Sequence, residues 1–241
     1  MWGEILKVCE EFYSLQGEGK YIGVPSYFIR TIGCNLRCSW KNTDETITIC
    51  DTPYTSFNIE KGYDLDLERV LSTINQLECE HIVITGGEPA LQKDLFEVID
   101  FFTYKGYKVT VETNGTKFFD YRDCFISISP KLKSSYNQTD EFNKQLHEQN
   151  NVFIENIIRF RNNVYDYQLK FVYNDRSDID EIREILIKTN VPKNRVYLMP
   201  QGITIEQFKN RSKECFDYCK HYGWNYSPRL HIDVFGNKRG I

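Results

Sequence analysis

Three cysteines in the first quarter of the chain stand in a setting that suits metal binding. Cys34, Cys38 and Cys50 lie among Gly, Asn, Arg and Trp residues, and the first two are spaced C-x3-C. A structural zinc site normally takes four ligands, and the histidine closest in sequence is His81. Three thiolates without a fourth ligand fit an iron–sulfur cluster in which one iron stays open to a small molecule. Spacing alone leaves the choice of metal open.

The elements that must position these cysteines alternate between strands and helices. Apolar, β-branched runs predict strands at residues 26–32, 81–85, 107–113, 124–129, 167–173 and 195–200. Helical spacing of apolar residues predicts helices at 65–77, 91–106, 178–189 and 204–223. This order predicts a mostly parallel sheet of βα units, whose functional residues gather at the carboxyl ends of the strands. The motifs GCNLRC, TGGEP, ETNG, SPK and MPQG all follow predicted strands, so we expect them to surround one enzymatic cavity.

Composition indicates one globular domain over residues 1–241, with 41% hydrophobic and 27% charged residues. A formal net charge of −4 argues against nucleic acid or an anionic membrane as partner. No apolar run approaches the roughly 18 residues that cross a bilayer, and acids replace the basic region of a signal peptide, so we expect a cytoplasmic protein. Residues 131–163 are polar and predicted to form a surface excursion, with a helical patch near 153–160.

Several motifs together resemble those of a known enzyme family. YSLQGEG, PSYFIRTIGCNLRC, CDTPYT, TGGEP, ETNG, ISPK and GNKRG are similar to motifs of the 7-carboxy-7-deazaguanine synthase (QueE) family of the radical S-adenosylmethionine superfamily, from about residue 4 to the C-terminus. The usual superfamily spacing is C-x3-C-x2-C, whereas this chain has C-x3-C-x11-C. We interpret residues 41–49 as an insertion; since a loop can return at small entropic cost, Cys50 is still expected to reach its iron. The resemblance implies an α/β fold, a partial, open (β/α)6-type barrel with a parallel sheet.

The resemblance implies a [4Fe–4S] cluster on the three cysteines, with S-adenosylmethionine on the open iron. Gly86 and Gly87 would let backbone approach the methionine moiety closely, and Glu88 would hold its ammonium. Either Trp40 or Ile49 is expected near the adenine. The implied S-adenosylmethionine-binding residues are Ile49, Asp51, Gly87, Glu88, Ser129, Lys131 and Gln201.

The implied substrate is 6-carboxy-5,6,7,8-tetrahydropterin, and the implied activity is a carbon–nitrogen lyase step of queuosine-type 7-deazapurine biosynthesis that releases ammonia. Arg30 matches the family's substrate-binding arginine, and its planar guanidinium suits a carboxylate. Thr52 matches a Mg²⁺-contacting threonine. The substrate-binding residues are predicted to be Leu15, Gln16, Gly17, Arg30 and Thr85. The C-terminal tail is expected to cover the substrate, with His231, Asn237 and Ile241 as candidate lid residues.

Two other functions stay open at this point. A radical activase that takes hydrogen from a glycine of a partner protein would leave LQGEG, Arg30 and the tail without a role. A non-enzymatic module would bind zinc at the cysteines. For the lyase, the resemblance also implies a homodimer and an external one-electron reductant. The destination of the product, in transfer RNA, DNA or a small metabolite, is left open.

Overall fold

A computed structural model describes residues 5–136, 141–150 and 153–241. Residues 1–4 of the predicted domain, and 137–140 and 151–152 of the predicted excursion, lie outside these ranges. The strands are β1 (Ile5–Leu15), β2 (Pro25–Thr31), β3 (Ser39–Lys41), β4 (Ile47–Ile49), β5 (Tyr63–Leu65), β6 (His81–Gly86), β7 (Lys108–Thr113), β8 (Phe125–Ile128), β9 (Tyr167–Tyr173), β10 (Val196–Pro200) and β11 (Asn225–Tyr226). The helices are α1 (Leu67–Gln76), α2 (Leu95–Tyr104), α3 (Glu141–Asn150), α4 (Phe153–Asn163), α5 (Arg176–Thr189), α6 (Ile205–Tyr222) and α7 (Leu230–Phe235).

The main sheet has the strand order β11-β10-β9-β8-β7-β6-β2-β1-β5. Strands β2, β6, β7, β8, β9, β10 and the short β11 run parallel. Strands β1 and β5 add antiparallel at one edge, and the sheet does not close. The predicted α/β class with an open, partial (β/α)6-type sheet is therefore confirmed. Strand β1 was not predicted, because its charged residues Glu10 and Glu11 interrupt the apolar pattern; in the structure their side chains are largely buried and pair with Arg30 and Arg69.

The core lies between this sheet and its helices. The central residues of β6, Ile82, Val83 and Ile84, are fully buried, as expected of a parallel strand covered on both faces. Helix α1 begins at Asp66, whose side chain accepts a hydrogen bond from the Arg69 N–H at 3.0 Å, a typical N-cap. None of the helices in the described ranges is long and apolar enough to cross a membrane.

The segment predicted as a surface excursion is only partly on the surface. Helix α4 packs Phe153, Ile157 and Phe160 into the same core as the sheet. Three large apolar side chains at helical spacing within a polar segment are the signal of a helix with one buried face. The excursion therefore covers part of the sheet, and its polar composition reflects only its outer side.

Candidate active site

A cavity of about 480 Å³ opens at the carboxyl ends of the parallel strands. The predicted meeting of the strand-end motifs is observed, because loops after β2, β6, β7, β8 and β10 all contribute to its wall. The predicted residues that line it are Leu15, Gln16, Gly17, Arg30, Cys34, Cys38, Trp40, Ile49, Cys50, Asp51, Thr52, Thr85, Gly86, Gly87, Ser129, Lys131, Gln201, His231, Asn237 and Ile241.

The segment between the second and third cysteines forms a β-hairpin of β3 and β4, the β3–β4 hairpin. Ser39 pairs with Ile49, and the Cys50 N–H donates to the Cys38 carbonyl oxygen at 3.0 Å. The residues that separate the two cysteines in sequence thus leave them as cross-strand neighbours in space. The late third cysteine therefore returns to the same place as a closely spaced one would.

The three thiols share one small apolar environment on the cavity wall. Cys38 lies in a buried cluster with Leu36 and Trp40, and Cys34 and Cys50 pack against that cluster. Burial raises the pKa of all three thiols, that of Cys34 to about 11. Iron bound nearby would favour the thiolates, which are soft ligands typical of iron–sulfur clusters.

The three thiols suit an iron–sulfur cluster by their chemistry. All three line one cavity, and thiolates are the soft ligands that hold such clusters. The donor set therefore fits a [4Fe–4S] cluster.

Gly86 and Gly87 are required by contacts within the protein. A Cβ on Gly87 would lie 2.0 Å from the Gly33 carbonyl oxygen, and a Cβ on Gly86 would lie 2.3 Å from the Thr31 carbonyl oxygen. Gly86 also has a φ of +136°, which side chains rarely adopt. These glycines let the end of β6 pack against the loop that carries Cys34. This packing requires glycine at both positions, independently of the predicted approach to the cofactor.

Glu88 is the predicted site residue that does not line the cavity, and its side chain is fully buried. One carboxylate oxygen accepts from the Ala90 N–H at 3.0 Å and the Thr113 hydroxyl at 2.8 Å, and the other accepts from the Asn114 N–H at 2.6 Å. Its oxygens join the ends of β6 and β7. A contact with the methionine ammonium stays a prediction.

The far wall offers polar groups that suit a nucleoside. Lys131 donates from Nζ to the Ser129 hydroxyl at 2.8 Å. Gln201 is buried, and its Oε1 has no hydrogen-bond partner among the described residues. A buried acceptor left unpaired costs about 1–3 kcal/mol, so a bound N–H donor would be favourable here. Of the two adenine candidates, Ile49 exposes 43% of its surface and Trp40 only 8%.

A chain of four charges lines the cavity beside the cysteines; three of them are largely buried, and Asp51 is exposed with its Oδ1 3.8 Å from Cys50 Sγ. Glu18 accepts from Lys170 Nζ at 2.5 Å and from Arg229 Nε at 3.1 Å, and Arg229 also pairs with Asp51. Burial alone would raise the pKa of Glu18, but the Lys170 and Arg229 cations outweigh it and lower that pKa. Asp51, predicted to bind the cofactor, is thus already held by Arg229. Glu18, Lys170 and Arg229 were not predicted from sequence.

The terminal guanidinium nitrogens of Arg30 are available to bind an anion. Its Nε donates to Glu10 Oε1 at 2.5 Å, and Glu10 also accepts from the Tyr54 hydroxyl at 2.9 Å. In the described part of the chain, the two terminal guanidinium nitrogens of Arg30 make no hydrogen bond, although its side chain is only 15% exposed. This leaves a fork of donors on the cavity wall that matches a carboxylate.

Glu112 is a cavity residue that sequence reasoning missed, although the motif ETNG contains it. Its carboxylate accepts from Gln16 Nε2 at 3.3 Å and from the Thr85 hydroxyl at 3.1 Å, and lies 3.5 Å from Lys170 Nζ. The two predicted substrate residues thus converge on one anionic group. A carboxylate there can accept from a ligand with adjacent N–H groups.

The C-terminal tail lines the cavity, and its predicted role as a lid over the substrate stays a prediction. The Leu230 N–H donates to the Gly17 carbonyl oxygen at 3.0 Å, and a Cβ on Gly17 would lie 2.3 Å from His231 Nδ1. Beyond α7, Arg239 pairs with Glu60 at 2.9 and 3.0 Å and lies 3.8 Å from the Tyr54 ring centroid. Gly17 is therefore needed for close packing of the tail.

Two further placements concern the cysteine loop. Thr52 has its Oγ1 3.4 Å from Cys50 Sγ and lines the cavity; its contact with Mg²⁺ stays a prediction. His147 of α3 is buried and accepts at Nε2 from the Arg37 N–H at 3.0 Å. Burial lowers the pKa of His147 to about 4, so it is neutral near pH 7 and can accept this bond. His147 and Arg37 are 110 residues apart in the chain, so the sequence did not predict this contact.

Comparison with known proteins agrees with this geometry. A model of the Radical SAM superfamily matches residues 28–163. The 7-carboxy-7-deazaguanine synthases of Halobacterium salinarum and Rhodopirellula baltica are each 35% identical over 98% of this chain, which spans 92% and 88% of those proteins. The chain belongs to the 7-carboxy-7-deazaguanine synthase family of radical SAM enzymes. The resemblance on which the sequence analysis relied is thereby confirmed, and the family implies an iron–sulfur cluster and S-adenosylmethionine.

Solved structures support the same assignment. The crystal structure of QueE from Escherichia coli matches with a TM-score of 0.67 and 26% identity, covering 94% of this chain and 95% of that one. Streptococcus suis SuiB bound to S-adenosylmethionine matches with a TM-score of 0.55 and 14% identity, covering 82% of this chain and 48% of that one. The second match concerns the fold alone.

Proposed function

We propose that this synthase-family member converts 6-carboxy-5,6,7,8-tetrahydropterin to 7-carboxy-7-deazaguanine with release of ammonia. The observation that carries the proposal is that the three thiols and the anion-ready guanidinium of Arg30 line one cavity. A cluster on the thiols and a carboxylated substrate on Arg30 would then share one enclosed space. The names of the relatives supply the product, and the family resemblance supplies the pterin substrate.

The cofactor side of the cavity has residues for each part of the bound groups. When bound, the cluster and S-adenosylmethionine supply one-electron reductive cleavage and hydrogen abstraction. Cys34, Cys38 and Cys50 would hold the cluster. Gln201 Oε1 would accept from the adenine amino group, and the Lys131–Ser129 pair would contact the ribose. Their task is to bind and orient.

The substrate side matches a flat, carboxylated pterin at both ends. Arg30 would bind the carboxylate with its terminal nitrogens, while Glu112 would accept from the amino group and ring N–H of the pyrimidine. Phe12 and Phe28 stack with ring centroids 4.8 Å apart and an interplanar angle of 3°, an apolar wall for the flat ring. His231 and the tail would exclude water.

Four finer features belong to the same proposal. Thr52 would help to hold Mg²⁺ beside the substrate carboxylate, since Mg²⁺ prefers oxygen ligands and keeps several waters. An external one-electron reductant would supply the electron. A homodimer is proposed from the family resemblance. Reduced thiols and a cluster suit the cytoplasm.

The test is anaerobic reconstitution with iron and sulfide, followed by a reductant, S-adenosylmethionine and the pterin, with the product identified by mass spectrometry. Wild type should form 7-carboxy-7-deazaguanine. Arg30→Lys should raise KM strongly, since it keeps the charge but loses the fork. If wild type cleaves S-adenosylmethionine but does not convert the pterin, the proposed substrate is wrong and an activase is favoured. If the protein is colourless and binds zinc, the proposal that it is a radical enzyme is wrong.

A further inference from the structure

Arg211 of α6 is a buried cation without a carboxylate partner among the described residues. It is 8% exposed. Its Nε donates to the Asn174 carbonyl oxygen at 2.9 Å, and its Nη1 donates to the Gln207 carbonyl oxygen at 3.0 Å and, at 3.5 Å, to that of Gln201. Its Nη2 donates to Asn174 Oδ1 at 3.1 Å and to Asn42 Oδ1 at 3.3 Å. Its hydrogen-bond acceptors are all neutral, and nearby carboxylates act on it only at longer range. Burying a charge in this way costs free energy, so the position calls for a reason to hold an arginine and not an apolar residue.

Asn42 connects Arg211 to the β3–β4 hairpin. It is buried, and its Nδ2 donates to the Thr46 hydroxyl at 3.0 Å and to the Thr48 hydroxyl at 2.8 Å. Its backbone N–H closes the turn by donating to the Thr46 carbonyl oxygen at 2.8 Å. With both amide donors used inside the hairpin, Oδ1 is the atom left for Arg211. Asn42 thus ties the turn and β4 to α6.

Two neighbours of Arg211 contact the hairpin as well. Asn174 donates from Nδ2 to the Lys41 carbonyl oxygen at 3.2 Å, and Gln207 donates from Nε2 to the Thr48 hydroxyl at 3.3 Å. The hairpin is therefore docked through both strands onto the end of β9 and the start of α6. Because β3 follows Cys38 and β4 leads directly into Cys50, a shift of the hairpin would move Cys38 and Cys50 relative to Cys34.

We propose that Arg211 is a positioning residue that sets the third thiolate of the cluster by clamping the β3–β4 hairpin to α6. The inference rests on the proposed cluster and deepens it. The need for such a clamp follows from the C-x11 spacing. The hairpin comes directly before Cys50, so contacts with the rest of the protein must hold the hairpin if Cys50 is to stay in place. The contact of Arg211 with the Gln201 carbonyl oxygen also fixes the hairpin relative to Gln201, which is proposed to bind the adenine.

The test compares Arg211→Met with Arg195→Met after anaerobic reconstitution. Arg195 also donates to backbone carbonyl oxygens, those of Tyr165 and Tyr167 at 3.1 Å, but at the opposite end of the strands. Iron retention against a chelator is measured, together with alkylation of each cysteine in the apoprotein and the free energy of unfolding. Arg211→Met should retain iron roughly tenfold more weakly, as lost positioning partners of metal sites do. In its apoprotein, Cys50 should alkylate faster relative to Cys34.

Arg195→Met should lower stability while leaving iron retention and the alkylation ratio at wild-type values. If Arg211→Met behaves like Arg195→Met in these two readouts, the clamp is wrong. The alkylation ratio needs no cluster, so a wild type that binds no iron would reject the proposed function while the clamp is still tested.

Asn42→Ala removes the acceptor of Arg211 on the hairpin. It provides a second test of the clamp if Arg211→Met does not fold. Combined with Arg211→Lys, it forms a double-mutant cycle. A shared clamp predicts that the double variant retains iron no worse than the weaker single variant. Independent, additive losses would contradict it.

Discussion

The two sides of the cavity are built by different means. The cysteine side, residues 34–50, is one continuous stretch in which a local hairpin brings Cys38 and Cys50 together. The charged side consists of Glu18, Asp51, Lys170 and Arg229, and its pairs join residues 152, 211 and 178 positions apart. The first can form from local pairing once its loop is anchored, whereas the second exists only after the whole sheet has assembled.

The largest effect is expected on the charged side. Lys170→Met leaves Glu18 with one cation and removes the cation beside Glu112. Losing one partner of a buried pair typically costs about 3–5 kcal/mol, and this should appear in the free energy of unfolding by urea. The matched double variant Glu18→Gln/Lys170→Met should recover much of the loss. A single variant within about 0.5 kcal/mol of wild type would show that the charges are not coupled.

The same pairs predict a pH dependence of stability. The pKa of Glu18 is lowered in the folded protein by Lys170 and Arg229 against the effect of burial, so its contribution is present above pH 4.5 and is lost as pH falls. The pKa of Lys170 is raised, with burial opposing Glu112 and Glu18, so its contribution is lost above pH 10.5. A salt-bridged carboxylate of this kind contributes about 2–3 kcal/mol. In acid, wild type should lose stability relative to Glu18→Gln/Lys170→Met, which lacks the carboxylate. A stability difference between the two proteins that does not change with pH would contradict the pairing.

On the cysteine side, His147→Leu should act on the loop without touching a thiol. The Arg37 N–H would lose its acceptor, at a cost of about 1–3 kcal/mol. Iron retention should fall along with stability. A matched change at another buried histidine, His81→Leu, should lower stability alone, because His81 bonds Ser26 and Thr110 in the sheet. Equal iron retention in the two variants would mean that α3 does not support the cysteine loop.

The smallest effect is expected where the tail meets the loop after β1. Gly17→Ala would place a methyl group against the His231 ring, which can turn aside at a cost of about 1 kcal/mol. Limited proteolysis should then cut the tail sooner, with global unfolding nearly unchanged. Gly23→Ala offers a comparison for backbone strain without a contact, because its φ of +82° disfavours a side chain while no atom lies within 4 Å of a Cβ there. Equal tail cleavage in both variants would contradict the docking of α7 on Gly17.

The local parts of the structure were the predictable ones. The parallel strands appear as apolar runs that end in glycine or polar motifs, so their order and the edge that carries the cavity could be predicted. The hairpin had a signal that was not used: ITI with flanking threonines alternates like a strand, and NTDE is a turn sequence. Glu88 has a structural role that its motif does not reveal, because its three hydrogen-bond donors come from the folded ends of β6 and β7.

The charged side could not be predicted for a physical reason. Lys170 lies in an apolar strand and Glu18 in a polar loop, and neither local pattern specifies a partner more than 150 residues away. Glu112 was hidden in the same way, since its neighbours Gln16 and Thr85 come from other strands. Pairings across a sheet need the register, which only the folded structure supplies.

The central claim is that the hairpin returns Cys50 to the other two cysteines as the third cluster ligand. The most direct test is the iron and sulfide content, with cleavage of S-adenosylmethionine, of anaerobically reconstituted Cys50→Ala beside Cys79→Ala, a buried cysteine outside the cavity wall. Wild type and Cys79→Ala should hold a full [4Fe–4S] complement and cleave the cofactor, while Cys50→Ala should lose both. A Cys50→Ala protein that keeps its cluster and cleaves the cofactor would contradict the claim.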